Sequence, residues 1–408
     1  MEEKTKKRPS GLEWIKDIPF DWECTKVKFF YKYQAGGTPD TTNMEFYDGD
    51  NKWVTIGDMN KKFINDTTTK LTDKGIREAN IKISEKGSLL FSFKLSIGKV
   101  AICDEDLYTN EAIITINYKN CSNDIGYLYY AMPIFVTENA NTNIYGAKLL
   151  NKELIQNAKI FIPPIQEQKK IAEFLNVKCN EIDRVISVLE SQVKTLNKLK
   201  KSIIIETISI GLNKNVEFKS SDTDYSKKCP KHWIRTRVKF LCDMRSGSAI
   251  TAEEIEDSGK YLVYGGNGIR GYYSQYTNCG ENVLIGRQGA LCGNVHYAKG
   301  KYWASDHAIV TYNYSNVDNK FLYYLFNAMN LNQYSQSAAQ PGLAVSTIQR
   351  LNVCVPETIM EQRDIVEYLD KKISAIDVLI ENKLNSIKTI VEYEKSLIFE
   401  YVTGKKRV

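Results

Sequence analysis

The sequence predicts an α+β protein written twice: two β-rich globular regions, each followed by a long helix, with the helices paired as an antiparallel coiled coil about a pseudo-two-fold axis. Three observations predict it. One helix-opening segment recurs far along the chain, apolar residues in the helical stretches recur every seven positions, and the intervening stretches alternate short apolar runs with Gly, Asn and Asp turn signals. At 408 residues the chain also exceeds the size of a typical single core.

The repeat comes first. Residues 167–183 read EQKKIAEFLNVKCNEID and residues 361–377 read EQRDIVEYLDKKISAID, an offset of 362 − 168 = 194 at Gln168 and Gln362. The same offset holds at Ile171/Ile365, Leu175/Leu369, Ile182/Ile376, Asp183/Asp377, Ser202/Ser396 and Glu206/Glu400. Each segment follows an apolar strand that ends in proline, Ile160–Pro163 and Val353–Pro356; proline cannot continue a strand ladder but suits a helix start. The globular parts repeat more loosely. Pro19, Trp22, Val27, Lys28 and Phe29 match Pro230, Trp233, Val238, Lys239 and Phe240, while Asn110–Ile114 matches Asp306–Val310 and Leu128–Tyr130 matches Leu322–Tyr324. Between these landmarks the two copies diverge almost completely.

In the first helical stretch Leu175, Ile182, Leu189, Leu196 and Ile203 form a seven-residue stripe beside Ile186 and Val193. In the second, Val366, Ile373, Ile380 and Ile387 do so beside Leu369, Ile376, Ile390 and Leu397, with Lys383 interrupting the stripe. A strict heptad asks for a coiled-coil partner, and the simplest partner for each helix is its own repeat. The expected boundaries are a first globular region 1–159, a central helical spacer 160–213, a second globular region 214–355 and a C-terminal helical spacer 356–408.

In the first region the expected strands are Trp53–Gly57, Ser88–Ser92, Lys99–Ile102 and Ala112–Ile116, followed by a helix over Ile125–Met132. The second region repeats the scheme with Tyr261–Tyr264, Asn282–Ile285, Gly293–His296 and Ala308–Tyr312, then a helix over Phe321–Met329. Short strands with few helices indicate a β-rich α+β region.

Composition narrows the function classes. With 43% hydrophobic and 25% charged residues the chain reads as an ordinary globular protein, and no apolar run approaches the ~20 residues that span a bilayer. The polar N-terminus lacks the apolar stretch of a secretion signal, so a cytoplasmic protein is expected. The nine cysteines are scattered without a C-x-x-C pair and the three histidines lack metal-pair spacing; reduced thiols are expected. A net charge of +6 moves the reading only slightly towards nucleic acid.

Few catalytic motifs survive scrutiny. Gly266, Gly268 and Gly271 satisfy G-x-G-x-x-G, but Tyr272-Tyr273-Ser274-Gln275-Tyr276 follows where a dinucleotide site needs a helix, and no acidic residue stands at the required distance. A glycine-rich turn is expected there. Pro39-Asp40 with Asp50-Asn51-Lys52 fits a nuclease pattern only formally, because Asp48–Asn51 reads as a turn. There is no phosphate-binding P-loop and no Asn/Asp-Pro-Pro-aromatic motif of adenine methyltransferases. No metal site and no catalytic residue is expected. What remains are polar and aromatic loops in the divergent middles: Arg287 and Gln288 on a glycine-flanked turn, Asn294, the cluster Asn267, Arg270, Tyr272 and Tyr273, and Lys61, Lys62, Ser92, Lys94 and Lys99 in the first region. Arginine and glutamine can pair bidentately with guanine and adenine edges, so the set fits groove readout better than a catalytic pocket.

The chain resembles the specificity subunit of Type I restriction–modification systems over nearly its whole length. The marks are the two Pro…Glu-Gln…Ile-Asp helix openings, Trp22 and Trp233, and the ends Glu206…Gly211-Leu212-Asn213 and Glu400…Thr403-Gly404-Lys405. The resemblance implies two target-recognition domains, each reading one half of a bipartite site on double-stranded DNA. It implies helices that set the spacer and dock two modification (methyltransferase) subunits, with Leu175, Ile182, Leu189, Leu196, Leu369, Ile376, Ile380 and Ile387 as the coiled-coil and docking residues. S-adenosylmethionine, ATP and Mg2+ would reside on those subunits and on the motor/nuclease restriction subunits, and this chain would be non-catalytic and bind no cofactor. The alternative is a non-catalytic protein-interaction scaffold.

Overall fold

A computed structural model describes residues 6–117, 122–142, 146, 148–289, 291–335 and 342–408. The chain forms two compact units, Met1–Ser187 with Ile387–Val408, and Val188–Ser386.

The first unit contains β1 (Glu23–Lys26), β2 (Phe63–Ile64), β3 (Leu89–Ser92), β4 (Val100–Cys103), β5 (Ile113–Ile116), α1 (Ile125–Glu138) and β6 (Lys159–Ile162), and α2 (Ile165–Ile210) begins in it. Its main sheet has the order β5-β3-β4-β2, with β3 antiparallel to both neighbours and β2 parallel to β4. Every side chain of β3 and β5 is buried, which is why both read as near-continuous apolar runs, broken by Ser92 and Thr115 alone. Asp124 caps α1 by accepting from the Tyr127 amide at 2.8 Å. Tyr127, Leu128, Ala131 and Phe135 of that helix join Phe91, Ile102, Ile114 and Ile116 in one core.

The second unit contains β7 (Ile234–Arg237), β8 (Cys242–Ser246), β9 (Tyr261–Gly265), β10 (Gly268–Tyr273), β11 (Asn278–Gly286), β12 (Val295–Ala304), β13 (Ala308–Asn313), α3 (Asn319–Met329) and β14 (Asn352–Val355), and α4 (Ile359–Val402) begins in it. Its sheet has the order β8-β13-β11-β12-β9-β10. The inner run β13-β11-β12-β9 repeats β5-β3-β4-β2 strand for strand, including the single parallel step, β9 beside β12. The divergent middles therefore share a sheet that sequence comparison of the two copies does not show. The strand pair β1·β6 likewise recurs as β7·β14.

Neither unit is a contiguous half of the chain. The first core takes in Ile171, Leu175 and Ile182 from the start of α2 together with Leu397 and Val402 from the end of α4. The second takes in Ile365, Leu369 and Ile373 from the start of α4 with Ile204 and Ile208 from the end of α2. Within each unit the helix segments run antiparallel. In the first, Phe174 packs at a tilt against Tyr401 with ring centroids 4.5 Å apart; in the second, Lys200 pairs with Asp377 at 2.6 Å and Lys383 donates to Gln192 at 2.6 Å. Lys383 thus keeps the register and reaches Gln192 from a half-buried position in the stripe.

The repeated marks have a physical cause. Trp22 Nε1 donates to Glu167 at 3.1 Å, and Trp233 Nε1 donates to Glu361 at 2.9 Å. Gln168 accepts from the Asp124 amide at 2.8 Å and donates to the Pro163 carbonyl at 2.9 Å; Gln362 does the same with the Asp318 amide and the Pro356 carbonyl. Each Glu-Gln pair therefore ties a long helix to the entry tryptophan and to the cap of the preceding helix. Gly211 and Gly404 end the long helices with φ of 70° and 69°, where glycine carries no steric penalty. A Cβ on Gly404 would come within 2.4 Å of Pro19.

Two expectations need correction. Cys229 and Cys354 form a disulfide with Cα atoms 6.5 Å apart, against the expectation of reduced thiols throughout. They lie 125 residues apart, so no local spacing announces the pair, and Ile18 and Ile160 hold the matching buried positions in the first copy. Asp48–Asn51 lies inside a strand, Tyr47–Val54, whose register shifts there with Asp48 at φ 58°. The turn-like sequence is absorbed as an irregularity of the ladder.

Candidate nucleic-acid interface

In each unit the two central antiparallel strands are joined by a loop that carries candidate residues: 93–99 between β3 and β4, and 287–294 between β11 and β12. Among the described residues each loop has two at positive φ, Leu95 (58°) and Gly98 (89°) in one, Gly289 (86°) and Gly293 (85°) in the other. Lys94 and Lys99 in one copy, and Arg287, Gln288 and Asn294 in the other, thus lie on corresponding loops.

In the first unit Lys94 is exposed beside Leu95, whose side chain is 95% exposed. Ser92 is buried; its hydroxyl accepts from the Lys99 amide at 3.0 Å and donates to the Ser96 carbonyl, so it closes the base of the loop. Lys99 Nζ donates to the Ile56 carbonyl and to Asn60, both at 3.3 Å, bringing the loop beside the exposed Lys61. Lys62 points elsewhere. Its ammonium lies 4.5 Å from the Tyr129 ring centre and 4.9 Å from that of Tyr130, bonded to Asn176, in a cavity of 740 Å³ that Cys179, Asp183 and Glu394 also line. Burial lowers the pKa of Lys62.

The second unit gathers its candidates more tightly. Gly286 has room only for hydrogen, since a Cβ there would meet the Gly266 carbonyl oxygen at 2.1 Å. That approach sets the β9–β10 turn against the β11–β12 loop, where Asn294 donates to Asn267 at 2.9 Å. Arg287 donates to Ser246 at the end of β8 at 2.9 Å, while Gln288 and Arg270 are exposed. Tyr273 packs edge-on against Trp303 at 5.1 Å and donates to Glu254 at 3.3 Å; Tyr272 is half-buried. His296 lies beneath Gly268, its Nε2 buried without a partner and its pKa lowered by burial. The G-x-G-x-x-G stretch is the turn and strand that the sequence predicts, with no helix after it.

Sequence reasoning missed Leu95, Ser246 and Trp303. Only the positive φ and exposure of Leu95 single it out, and both are tertiary facts. The formal nuclease pattern does not assemble: Asp40 accepts from Thr42 at 2.9 and 2.8 Å, whereas Lys52 bonds to the Asn65 carbonyl at 2.6 Å and pairs with Glu105. Among the described residues no group of three His, Cys, Asp or Glu could hold a metal ion. Of the heptad residues, Leu175, Ile182, Leu369 and Ile376 are buried, and Leu189, Leu196, Ile380 and Ile387 are half-buried.

The interface is therefore rich in amide, guanidinium and ammonium donors on exposed loops. It offers two different surfaces on one framework. The family model described as the Type I restriction modification DNA specificity domain matches residues 19–190 and 230–389. The specificity subunit of the Type I restriction enzyme EcoprrI from Escherichia coli is 29% identical, over 89% of this chain and 90% of its own length. The MjaIX specificity subunit of Methanocaldococcus jannaschii is 25% identical over 97% and 95%. In fold, the chain is similar to a protein solved in a study of the assembly and conformational transition of a Type I restriction–modification system, with a TM-score of 0.72 at 15% identity, covering 95% of this chain and 99% of that one. The HsdS subunit of Thermoanaerobacter tengcongensis gives 0.50 at 15% identity over 95% and 98%. With two copies of the domain on two copies of one framework, the chain belongs to the family of Type I restriction–modification DNA specificity subunits, non-catalytic chains that recognise DNA within a larger complex.

Proposed function

We propose that residues 1–159 and 214–355 are two target-recognition domains, each reading one half of a bipartite, asymmetric site on double-stranded DNA. The observation that carries this reading is the shared four-stranded framework with unlike loops at corresponding positions: lysines and Leu95 in one, Arg287, Gln288 and Asn294 in the other. Lys61, Lys94 and Lys99 supply phosphate contacts in the first domain, with Ser92 shaping their loop. In the second, Asn267, Arg270, Tyr273, Arg287, Gln288 and Asn294 supply base-edge and backbone contacts. Lys62 serves from within its cavity, holding the Tyr129–Tyr130 wall beside Lys61.

The helical segments 160–213 and 356–408 set the spacer between half-sites through Leu175, Ile182, Leu189, Leu196, Leu369, Ile376, Ile380 and Ile387. They also dock two modification subunits, to which motor/nuclease restriction subunits add. Those partners carry S-adenosylmethionine, ATP and Mg2+; this chain needs none of them, and the complex acts in the cytoplasm. Replacing residues 220–350 by the corresponding domain of another specificity subunit is expected to change one half of the methylated sequence and leave the other intact, as read by genome-wide mapping of methyladenine. A change in both halves, or in neither, would overturn the reading.

A further inference from the structure

Outside their cores the two copies differ at most exposed positions, yet one largely exposed tripeptide is identical. Val27-Lys28-Phe29 directly follows β1, and Val238-Lys239-Phe240 directly follows β7, each as a single 3-10 turn. The valines are fully buried and anchor the turns, whereas Phe29 is 73% and Phe240 59% exposed. Lys28 lies 5.3 Å above the Phe29 ring and Lys239 4.8 Å above the Phe240 ring. Two exposed phenylalanines at matching positions cost hydration without stabilising either core.

Both turns continue an open sheet edge. β1 pairs only with β6, and β7 only with β14, so among the described residues no strand lies on their other side. Along each edge runs a groove, of 510 Å³ in the first unit and 490 Å³ in the second. Glu23–Lys26, Phe29 and Lys159 line the first; Arg235–Arg237, Lys239, Phe240 and Asn352 are among those lining the second. Lys26 and Lys28, with Lys159 of the paired strand, outweigh Glu23 and make the first groove basic, and Arg237 and Lys239 make the second basic, where Arg235 is paired with Asp222. A basic edge repels its own kind and receives an acidic strand.

We propose that these grooves are duplicate docking sites for an extended acidic segment bearing an apolar side chain, carried by a protein present in two copies per chain. Resting on the function proposed above, that protein is the modification subunit, whose seat on the helices is too weak without the groove contact. The segment adds a strand to β1 or β7, its carboxylates meet the lysines and arginines, and its apolar side chain covers the phenylalanine. The phosphate backbone of DNA offers no such apolar partner, which favours protein over nucleic acid here.

The test is native mass spectrometry of the chain co-expressed with its modification subunit, as wild type, Phe29→Glu, Phe240→Glu and the double variant. Two bound subunits are expected for wild type, one for each single variant and none for the double, with a gentler Phe29→Ser/Phe240→Ser pair weakening each site at least tenfold. Melting temperatures should stay unchanged, because both side chains face water. Two subunits retained by the double variant would overturn the inference while leaving the functional reading intact. So would retained subunits with DNA affinity reduced equally on all sequences, which would make the grooves a DNA contact. A wild-type chain that binds no modification subunit would overturn both.

Discussion

Gln168 shows how much one side chain holds. It is 2% exposed and joins the start of α2 to the Asp124 amide, the Pro163 carbonyl and Asn123. Removing one partner of a buried hydrogen bond costs about 1–3 kcal/mol for the group left behind. Gln168→Ala strands the Asp124 amide and leaves a gap, so we expect a loss of about 2 kcal/mol, read from the denaturant midpoint of the first unit. A loss below ~0.5 kcal/mol, the range of ordinary surface substitutions, would show that water replaces the amide. The glutamine was legible in the sequence as half of a repeated Glu-Gln pair, but its partners Asp124 and Asn123 were not, because they lie 44 and 45 residues away.

At the scale of elements, the long helices repeat in sequence but not in charge. Lys200 pairs with Asp377 in the second unit; the 194-residue offset places Glu394 opposite Asp183 in the first. Burial, reinforced by the Asp183 carboxylate and opposed by a hydrogen bond from Cys179, holds the Glu394 carboxyl above its ordinary value. A raised carboxyl pKa contributes stability below the unfolded value near 4.5 that is lost as pH rises through the folded value. Glu394→Gln should therefore stabilise the first unit at pH 7, on the order of 0.5 kcal/mol given partial solvent screening, and give no gain at pH 4. Thermal melts at the two pH values decide it; an equal gain at both would remove the electrostatic explanation. The heptad spacing revealed both helices, yet it could not reveal which charged residues would face each other, since that depends on register.

At the scale of the whole molecule, the units exchange helix ends. Residues 387–408 belong to the first unit, where Leu397 and Val402 complete the core and Arg407 pairs with Asp21 and Glu167. Deleting them should leave Val402-shaped exposure beneath Tyr127, whose hydroxyl donates to the Val402 carbonyl at 3.2 Å. Hydrogen exchange is expected to accelerate at least tenfold over β3–β5 while β11–β13 keeps its protection. Equal acceleration in both units would show that the ending supports the chain as a whole rather than the first unit.

Periodicity and internal repetition by themselves determined the fold class, the two long helices and several of the central strands. These are local signals, set by spacing along the chain. Which segments share a core, the common sheet under two unlike middles, the Cys229–Cys354 bridge and the half-burial of Lys62 against Tyr129 and Tyr130 were decided only by tertiary structure. Each depends on contacts between residues distant in sequence, where packing and burial select the partner and no spacing rule records the choice.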